Sequence, residues 1–213
     1  MRVTLKLATS LDGRIATASG ESRWITCAAS REAVHALRAD NDAVLVGVET
    51  ALADDPELIV RLPDYSGKQP ARVVLDSQLR LSPESKLAKT ARETPTYVVT
   101  IANSNNRLTD AGVKVLQVKA VGERPDLQSS LDALEAEGIE SVLVEGGGQV
   151  AASFLRCELV DAIEWFRAPI VLGGEGRPAV GALALTALAD APRFRRTALD
   201  VIGDDIWERY ERI

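Results

Sequence analysis

The hydrophobic positions of this chain fall into short apolar runs separated by segments with helical spacing. The runs are rich in valine and leucine, which predicts buried strands. Five such strands are predicted: residues 3–8, 43–47, 72–76, 96–100 and 142–144. Strands that are apolar along their whole length are typical of parallel sheets covered on both faces, so the pattern favours an α/β fold.

Helices are predicted between these strands. Ser30 is expected to cap a helix that ends near Asn41, and a shorter helix is predicted over residues 49–53. Asp126 is expected to cap a third helix, with Gly138 as its stop signal. The apolar faces consist of Ala33, Val34 and Leu37 in the first helix and of Leu127, Leu131 and Leu134 in the third.

Residues 141–174 are interpreted as a strand, a glycine turn, a helix and a second strand over residues 168–174. The first strand stops at three glycines, and apolar residues then follow at helical spacing. Free N–H groups at the start of that helix suit a phosphate, and glycines let the backbone approach a ligand. Glu145 lies at the carboxyl end of a strand, where open α/β sheets bind their ligands. A plain tight turn between strand and helix would produce the same pattern.

The C-terminal residues change character. Residues 195–201 and 206–210 alternate apolar and polar positions on either side of a turn at Gly203, which predicts an antiparallel hairpin. Loops are expected at residues 62–70 and 103–110. The whole chain of 213 residues is therefore expected to form one α/β domain, with a mostly parallel central sheet, helices on both faces and a C-terminal antiparallel hairpin.

Composition bears on partners more than on the fold. Lys and Arg total 25 against 31 Asp and Glu, a net charge of -6 without a basic block, so nucleic acid is not expected as the main partner. Cys27, Cys157 and the single histidine, His35, cannot form a zinc site or a disulfide framework, and no metal is expected. No signal-segment pattern or membrane-length apolar run is present in the sequence, so a cytoplasmic protein without membrane contact is expected.

Several motifs in collinear order resemble the reductase domain of riboflavin biosynthesis over almost the whole chain. They lie at residues 5–16, 20–26, 37–39, 42–47, 52–58, 60–61 and 74–77 and in the glycine turn after Glu145. The resemblance implies a dihydrofolate reductase-like fold, a homodimer and NADPH as the cofactor. The reaction that it implies is reduction of the ribosylamino side chain of a pyrimidine 5′-phosphate to a ribitylamino chain. In bacteria the domain usually follows a zinc-dependent deaminase, so deamination is expected to be done by another protein.

The resemblance also implies roles for individual residues. Cofactor contacts are expected from Ala8, Trp24, Thr50, Asp54, Ser77, Gly146, Gly147 and Gly148. Substrate contacts are expected from Ser22, Arg38, Leu58, Arg61 and Glu145. Lys6 and Glu145 are the polar groups that we place nearest the chemistry, since hydride delivery to the ribose C1′ requires a nearby proton.

Physical chemistry supports some of these roles and leaves others open. The guanidinium groups of Arg38 and Arg61 offer paired donors to a phosphate ester, although a solvated arginine is the alternative at each position. Arg80 could meet the 2′-phosphate of NADPH, or it could be a solvated loop residue. Without the resemblance, Leu58 would be predicted as a core residue. Trp24 would be predicted as a core or rim aromatic residue.

Two positions depart from the family pattern. Glu49 stands where a glycine is common before the threonine of the turn, and a carboxylate there would repel a pyrophosphate unless it points away. Cys27 stands where glycine or a small polar residue is usual. Both departures bear on cofactor affinity and on the substrate.

Three functions are therefore compared. The first is an NADPH-dependent reductase acting on 5-amino-6-(5-phosphoribosylamino)uracil or its undeaminated 2,5-diamino relative. The second is a reductase of the same fold for another pterin or pyrimidine substrate such as dihydrofolate. The third is a non-catalytic nucleotide-binding subunit. NADPH should stabilise all three, whereas only the enzymes should oxidise it when substrate is added.

Overall fold

The computed structural model of the protein describes residues 1–103 and 106–213, which group into two units. The first unit consists of Met1 and residues 35–146, and the second consists of residues 2–34 and 147–213. The single domain expected from the sequence stays a prediction.

The strands and helices are numbered separately along the chain. The strands are β1 (Arg2–Thr9), β2 (Arg14–Ala16), β3 (Ala43–Gly47), β4 (Ala71–Leu75), β5 (Thr96–Thr100), β6 (Lys114–Gln117), β7 (Ala120–Val121), β8 (Arg124–Pro125), β9 (Ser141–Val144), β10 (Ala162–Arg167), β11 (Arg177–Pro178), β12 (Phe194–Ile202) and β13 (Asp205–Arg212). The helices are α1 (Ala28–Ala39), α2 (Val48–Asp54), α3 (Lys86–Lys89), α4 (Asn106–Asp110), α5 (Leu127–Ala136) and α6 (Gly148–Arg156), with a 3₁₀ turn at Leu188–Asp190. Across the described residues, no helix combines the length and the apolar character needed to cross a membrane.

The first unit contains a parallel sheet in which β9, β3, β4, β5 and β6 lie side by side in that order. Continuous apolar runs form β3 and β5 because both faces of these strands are covered, and all residues of both are buried. The hydrophobic core of this unit includes Val44, Val46, Val74 and Val98, each at most 1% exposed. The mostly parallel α/β class predicted from the sequence is confirmed.

The second unit contains the strands β12, β13, β10 and β1 in that order. β1 and β10 are parallel, whereas β13 is antiparallel to both β10 and β12. β12 and β13 form the predicted C-terminal hairpin, and its turn contains Gly203 with a φ of +58°. That left-handed backbone favours glycine, which explains why the turn occurs there.

Three predictions of local structure are wrong. The strand predicted over residues 168–174 lies earlier, as β10, and residues 168–174 have no strand structure. Ser30 is not an N-cap, because α1 begins at Ala28 and places Ser30 in its first turn. In the loop predicted over residues 103–110, residues 106–110 form α4, while residues 104–105 lie outside the described residues.

Tertiary hydrogen bonds explain the error at Ser30. Its buried hydroxyl donates to Asp205 at 2.6 Å, and the same carboxylate oxygen accepts the Cys27 N–H at 2.7 Å. Asp205 thus holds the start of α1 from a distant part of the chain, through the backbone of Cys27 and the hydroxyl of Ser30. By contrast, Asp126 caps α5 locally by accepting the Ser129 N–H at 2.8 Å, as predicted.

Asp12 explains why residues 168–174 do not form a strand. Its carboxylate accepts the N–H groups of Leu172 and Gly173, at 3.1 and 2.8 Å, and the hydroxyl of Ser10 at 2.6 Å. These backbone donors are therefore not available to a strand ladder. The Ser10 hydroxyl and then the Leu172 N–H contribute most to lowering the pKa of Asp12 from 3.8 to about 2.

The lowered pKa of Asp12 gives a pH prediction. A carboxylate with a depressed pKa in the folded state contributes stability above its unfolded value of 3.8, and that contribution is lost as the pH falls through about 2. Asp12→Asn should therefore lower the thermal midpoint by a constant amount above pH 5, and this difference should shrink below pH 3.8. Calorimetry of both proteins across this range tests the prediction. A difference that does not change with pH would contradict it.

Candidate functional site

Polar residues gather at the carboxyl edge of the parallel strands of the first unit. Glu145 follows β9, Glu49 and Thr50 lie in the first turn of α2 directly after β3, and Ser77 follows β4 by two residues. The carboxyl ends of parallel strands meet at the same edge of a sheet, where open α/β folds bind ligands. This edge is therefore the candidate functional site of the first unit.

A largely buried, bidentate ion pair joins Arg38 and Glu145 at this edge. Arg38 Nε donates to Glu145 Oε1 at 2.6 Å, and Nη2 donates to Oε2 at 3.0 Å. Only 12% of the Arg38 side chain and 7% of the Glu145 side chain are exposed. Burial alone would lower the pKa of Arg38, but the charge and hydrogen bonds of Glu145 outweigh burial and the pKa is raised. The alternative of a solvated arginine at position 38 is therefore wrong.

The ion pair is anchored to the segment that follows α2. Arg38 Nη1 donates to the carbonyl of Ile59 at 2.9 Å, so the guanidinium holds both the segment and the carboxylate of Glu145. Nη1 and Nη2 each carry a second N–H beyond these bonds. These two N–H groups are thus left for a ligand, while the others bind Glu145 and the Ile59 carbonyl.

Leu58 and Arg61 flank this anchor and differ in exposure. Leu58 is 4% exposed and packs in the hydrophobic core, with a φ of +54° that turns the backbone sharply. Only its backbone is thus available to a substrate, and the core assignment of its side chain is confirmed. Arg61 is exposed and pairs with Glu57 at 3.0 Å, a surface contact that contributes little to stability.

His35 is a residue that the sequence interpretation left without a role. It lies on α1 one turn before Arg38, and its Nδ1 is 3.2 Å from both the Ile59 carbonyl and the Arg61 N–H. Burial, followed by the charges of Arg38 and Arg61, lowers the pKa of His35 below 6.5. The imidazole is therefore neutral at pH 7. Its spacing from Arg38 on one helix is the sequence signal that could have identified it.

The three polar residues predicted to contact the cofactor in the first unit are all at least partly accessible. Thr50 in α2 and Ser77 after β4 are half-buried, and the Ser77 carbonyl accepts the Thr100 hydroxyl at 3.2 Å. Asp54 is the exposed last residue of α2. Their assignment to a cofactor stays a prediction.

The Glu49 departure has a structural counterpart in Arg80. Arg80 Nη2 donates to Glu49 Oε1, although 83% of the Glu49 side chain is exposed. The guanidinium offsets the carboxylate charge at the start of α2. The repulsion that Glu49 alone would exert on a pyrophosphate is correspondingly smaller.

The three glycines after Glu145 are required by close packing and backbone conformation. A side chain on Gly146 would place its Cβ 2.6 Å from the Cα of Val46 in β3. Gly147 has a φ of +75°, and a Cβ on Gly148 would lie 2.4 Å from the Pro178 carbonyl. α6 begins at Gly148, as the sequence predicts for the end of the glycine run. The tight-turn interpretation is sufficient to explain these residues, and their cofactor role stays a prediction.

On the strands of the second unit, Lys6 and Ala8 lie in β1 beside β10. Lys6 is half-buried opposite Glu164, and Ala8 is opposite Phe166 in the strand register. Burial raises the pKa of Glu164 despite the hydrogen bond that the Trp207 N–H donates to it at 2.6 Å. Lys6 is thus only partly exposed to solvent in this unit, and its catalytic role stays a prediction.

Ser22, Trp24 and Cys27 lie in the segment before α1. The Trp24 side chain is 68% exposed, and the Arg31 guanidinium lies 4.5 Å from its ring centroid. Ser22 is half-buried, and its carbonyl accepts the Ile25 N–H at 3.2 Å. The thiol of Cys27 donates to the Ile202 carbonyl at 3.2 Å, so this departure is accommodated by contact with the C-terminal hairpin.

Comparison with known proteins places this geometry in context. A family model described as the RibD C-terminal domain matches residues 1–207. The riboflavin biosynthesis protein RibD of Bacillus amyloliquefaciens is 39% identical over 209 residues, covering 96% of this chain and 55% of that protein. The chain thus spans about half the length of the curated RibD relatives that it matches.

Two further relatives match over nearly all of this chain. A Methanothermobacter thermautotrophicus protein named 2,5-diamino-6-ribosylamino-4(3H)-pyrimidinone 5′-phosphate reductase is 36% identical, over 98% of this chain and 96% of its own. The solved structure of Acinetobacter baumannii RibD superimposes with a TM-score of 0.87 at 32% identity, covering all of this chain and 58% of that one. The sequence motifs, the fold and these relatives thus all indicate the same family.

Proposed function

This chain belongs to the RibD C-terminal domain family, and we propose that it is an NADPH-dependent reductase of riboflavin biosynthesis. The proposed substrate is 5-amino-6-(5-phosphoribosylamino)uracil or its 2,5-diamino precursor, and the product carries a ribitylamino chain. The match with the archaeal reductase carries this proposal, because it covers nearly the full length of both proteins. A homodimer and a cytoplasmic location belong to the proposal and stay predictions.

The proposed chemistry assigns distinct roles to Arg38 and Glu145. Ring opening of the ribosylamine leaves a C1′=N double bond, and its reduction adds a hydride to C1′ and a proton to the nitrogen; NADPH would supply the hydride when bound. Glu145, held as an ion pair by Arg38, is suited to accept hydrogen bonds from a substrate hydroxyl or amine and to orient it. We assign the proton to Lys6, the other polar group that we place near the chemistry.

The start of α2 supports the choice of cofactor. Thr50 and the N–H groups of the first turn offer donors to a phosphate, and the Glu49–Arg80 contact offsets the local negative charge. Arg80 is also the cation that we assign to the 2′-phosphate, so we expect NADPH to be preferred to NADH. Replacement of Arg80 by methionine should reduce this preference.

Calorimetry and an absorbance assay together test the proposed function. NADPH should raise the thermal midpoint by mass action, and the absorbance of NADPH should fall when the phosphorylated pyrimidine is added. Oxidation with dihydrofolate in place of the pyrimidine would favour the second function. Stabilisation by NADPH without oxidation by any of these substrates would favour a non-catalytic subunit. Absence of any shift at millimolar NADPH would exclude an NADPH-dependent reductase.

Arg61→Ala should weaken use of the phosphorylated substrate. We assign Arg61 to the substrate phosphate, and each charge-assisted hydrogen bond lost is worth about 1.5–3 kcal/mol. The Michaelis constant should rise at least about tenfold, since 1.4 kcal/mol corresponds to a factor of ten. Steady-state kinetics with the phosphorylated and the dephosphorylated ribosylamine measure this effect, and the dephosphorylated compound should react equally poorly with both proteins.

Glu57→Gln is the matched control for Arg61→Ala. Both variants remove the ion pair between Glu57 and Arg61, but only Arg61→Ala removes the guanidinium. The Michaelis constant of Glu57→Gln should therefore stay close to that of the wild type. If Arg61→Ala weakens use of both ribosylamines by one common factor, Arg61 is not the phosphate ligand and Arg38 becomes the better candidate.

A further inference from the structure

Nδ1 of His35 lies within hydrogen-bonding distance of one acceptor and one donor. Nδ1 is 3.2 Å from the Ile59 carbonyl, which can only accept, and 3.2 Å from the Arg61 N–H, which can only donate. A protonated Nδ1 would donate to Ile59, whereas an unprotonated Nδ1 would accept from Arg61. The tautomer of His35 therefore decides whether the backbone of Arg61 is held.

The neighbouring hydrogen bonds favour the second arrangement. The Ile59 carbonyl already accepts Arg38 Nη1 at 2.9 Å, so it is satisfied without His35. For the Arg61 N–H, residues 1–103 and 106–213 provide no acceptor other than Nδ1. The tautomer with the proton on Nε2 satisfies both backbone groups, and the other tautomer leaves the Arg61 N–H without a protein partner.

The charges around the ring act in the same direction. Arg38 faces the imidazole from α1, Arg61 faces it from the segment after α2, and Glu145 faces it from the end of β9. Burial and the two guanidinium groups disfavour a third positive charge, and the Ile59 carbonyl and Glu145 only partly offset them. At neutral pH the ring is therefore uncharged and Nδ1 is able to accept.

We propose that His35 is a positioning residue for Arg61, whose main chain it holds through unprotonated Nδ1 while the proton resides on Nε2. Protonation of the ring withdraws this acceptor and releases the main chain that carries the Arg61 guanidinium. The inference deepens the proposed function and rests on it where it assigns Arg61 to the substrate phosphate. The contact between His35 and Arg61 can be tested without any enzyme activity.

NMR spectroscopy tests the contact directly, because His35 is the single histidine of the chain and its ring signals are unambiguous. Long-range ¹⁵N–¹H correlation at pH 7 should show the proton on Nε2 and an unprotonated Nδ1. The Arg61 amide signal should shift with pH at the midpoint of the ring, which lies below 6.5. A proton on Nδ1 at pH 7, or an Arg61 amide that does not follow the ring, would overturn the proposal.

Two variants connect the contact to substrate binding. In His35→Asn the side-chain oxygen can take the place of Nδ1 and does not titrate, whereas His35→Gln places its amide near the Nε2 position and withdraws the acceptor. The wild-type Michaelis constant for the phosphorylated substrate should rise about twofold to tenfold more than that of His35→Asn as the pH falls through the ring pKa, the range expected for one neutral hydrogen bond. His35→Gln should show a raised constant at neutral pH.

The comparison with His35→Asn separates titration of the His35 ring from titration of the substrate. The phosphate of the substrate also titrates near pH 6, but it does so equally with both proteins. Equal pH profiles for the wild type and His35→Asn would overturn the role in binding. If no pyrimidine is reduced at any pH, the proposed function fails, and the NMR comparison still decides whether His35 holds Arg61.

Discussion

Replacing Arg72 with methionine is expected to lower the free energy of unfolding by about 4 kcal/mol or more, an unusually large effect for one substitution. Arg72 lies in β4 and is 1% exposed. Burial lowers its pKa to about 10, partly opposed by the charges of Glu93 and Glu57. Its guanidinium donates to the carbonyls of Glu57, Leu87 and Thr94 and to the hydroxyls of Thr90 and Thr96, at 2.6–3.4 Å.

Methionine keeps an unbranched apolar stem, so the loss comes mainly from the acceptors left behind. Each buried acceptor without a partner costs about 1–3 kcal/mol, and relief from burying a charge offsets only part of the sum. Urea unfolding measures the difference. Arg92→Met is the matched control, because Arg92 is exposed and makes one hydrogen bond, to the Asp110 carbonyl at 2.7 Å. Equal losses for the two variants would contradict the argument.

Buried strands were the most predictable part of the fold. β3 and β5 match their predicted bounds, and every residue of both is buried. A continuous apolar run needs no knowledge of its partners, because a strand covered on both faces is apolar throughout. The hairpin of β12 and β13 was predictable for a related reason, since its glycine turn and alternation are both local signals.

Edge strands and capping from a distance were less predictable. β6 was missed because it pairs only with β5 and has two exposed and two half-buried residues, so its apolar run is too short to stand out. Ser30 was wrongly assigned as a cap because a local rule cannot include Asp205, which lies 175 positions away. At β6 the local signal was weak, whereas at Ser30 a tertiary contact replaced it.

The candidate site likewise combines residues that the sequence identifies with contacts that only the fold produces. The resemblance identified Arg38 and Glu145 separately, but their bidentate contact joins positions 107 residues apart and follows from the fold. Arg72 begins a predicted strand in the sequence, where nothing distinguishes it from a surface arginine. Local patterns thus identify candidate residues one at a time, and tertiary packing determines which of them are buried and which of them form ion pairs.

Glu145→Ala is expected to lower the free energy of unfolding by about 3–5 kcal/mol and to abolish measurable reductase activity. The substitution leaves the Arg38 guanidinium, 12% exposed, without the carboxylate that compensates its charge. Urea unfolding and steady-state kinetics measure the two effects. Glu145→Gln is the conservative control, because it keeps the shape and an acceptor but not the charge. It should recover part of the stability and little of the activity.

The double variant Arg38→Met with Glu145→Leu separates the structural role of the pair from its functional one. Replacing both charges with apolar groups removes the unpaired charge, so the double variant should be more stable than Glu145→Ala. Its activity should remain absent, because Glu145 is the group that we assign to the substrate. A double variant that recovers both stability and turnover would show that the pair only supports the fold. With Arg38→Met and Glu145→Leu measured as single variants, a double variant that loses the sum of their two effects would show that Arg38 and Glu145 act independently, against the contact at 2.6 Å.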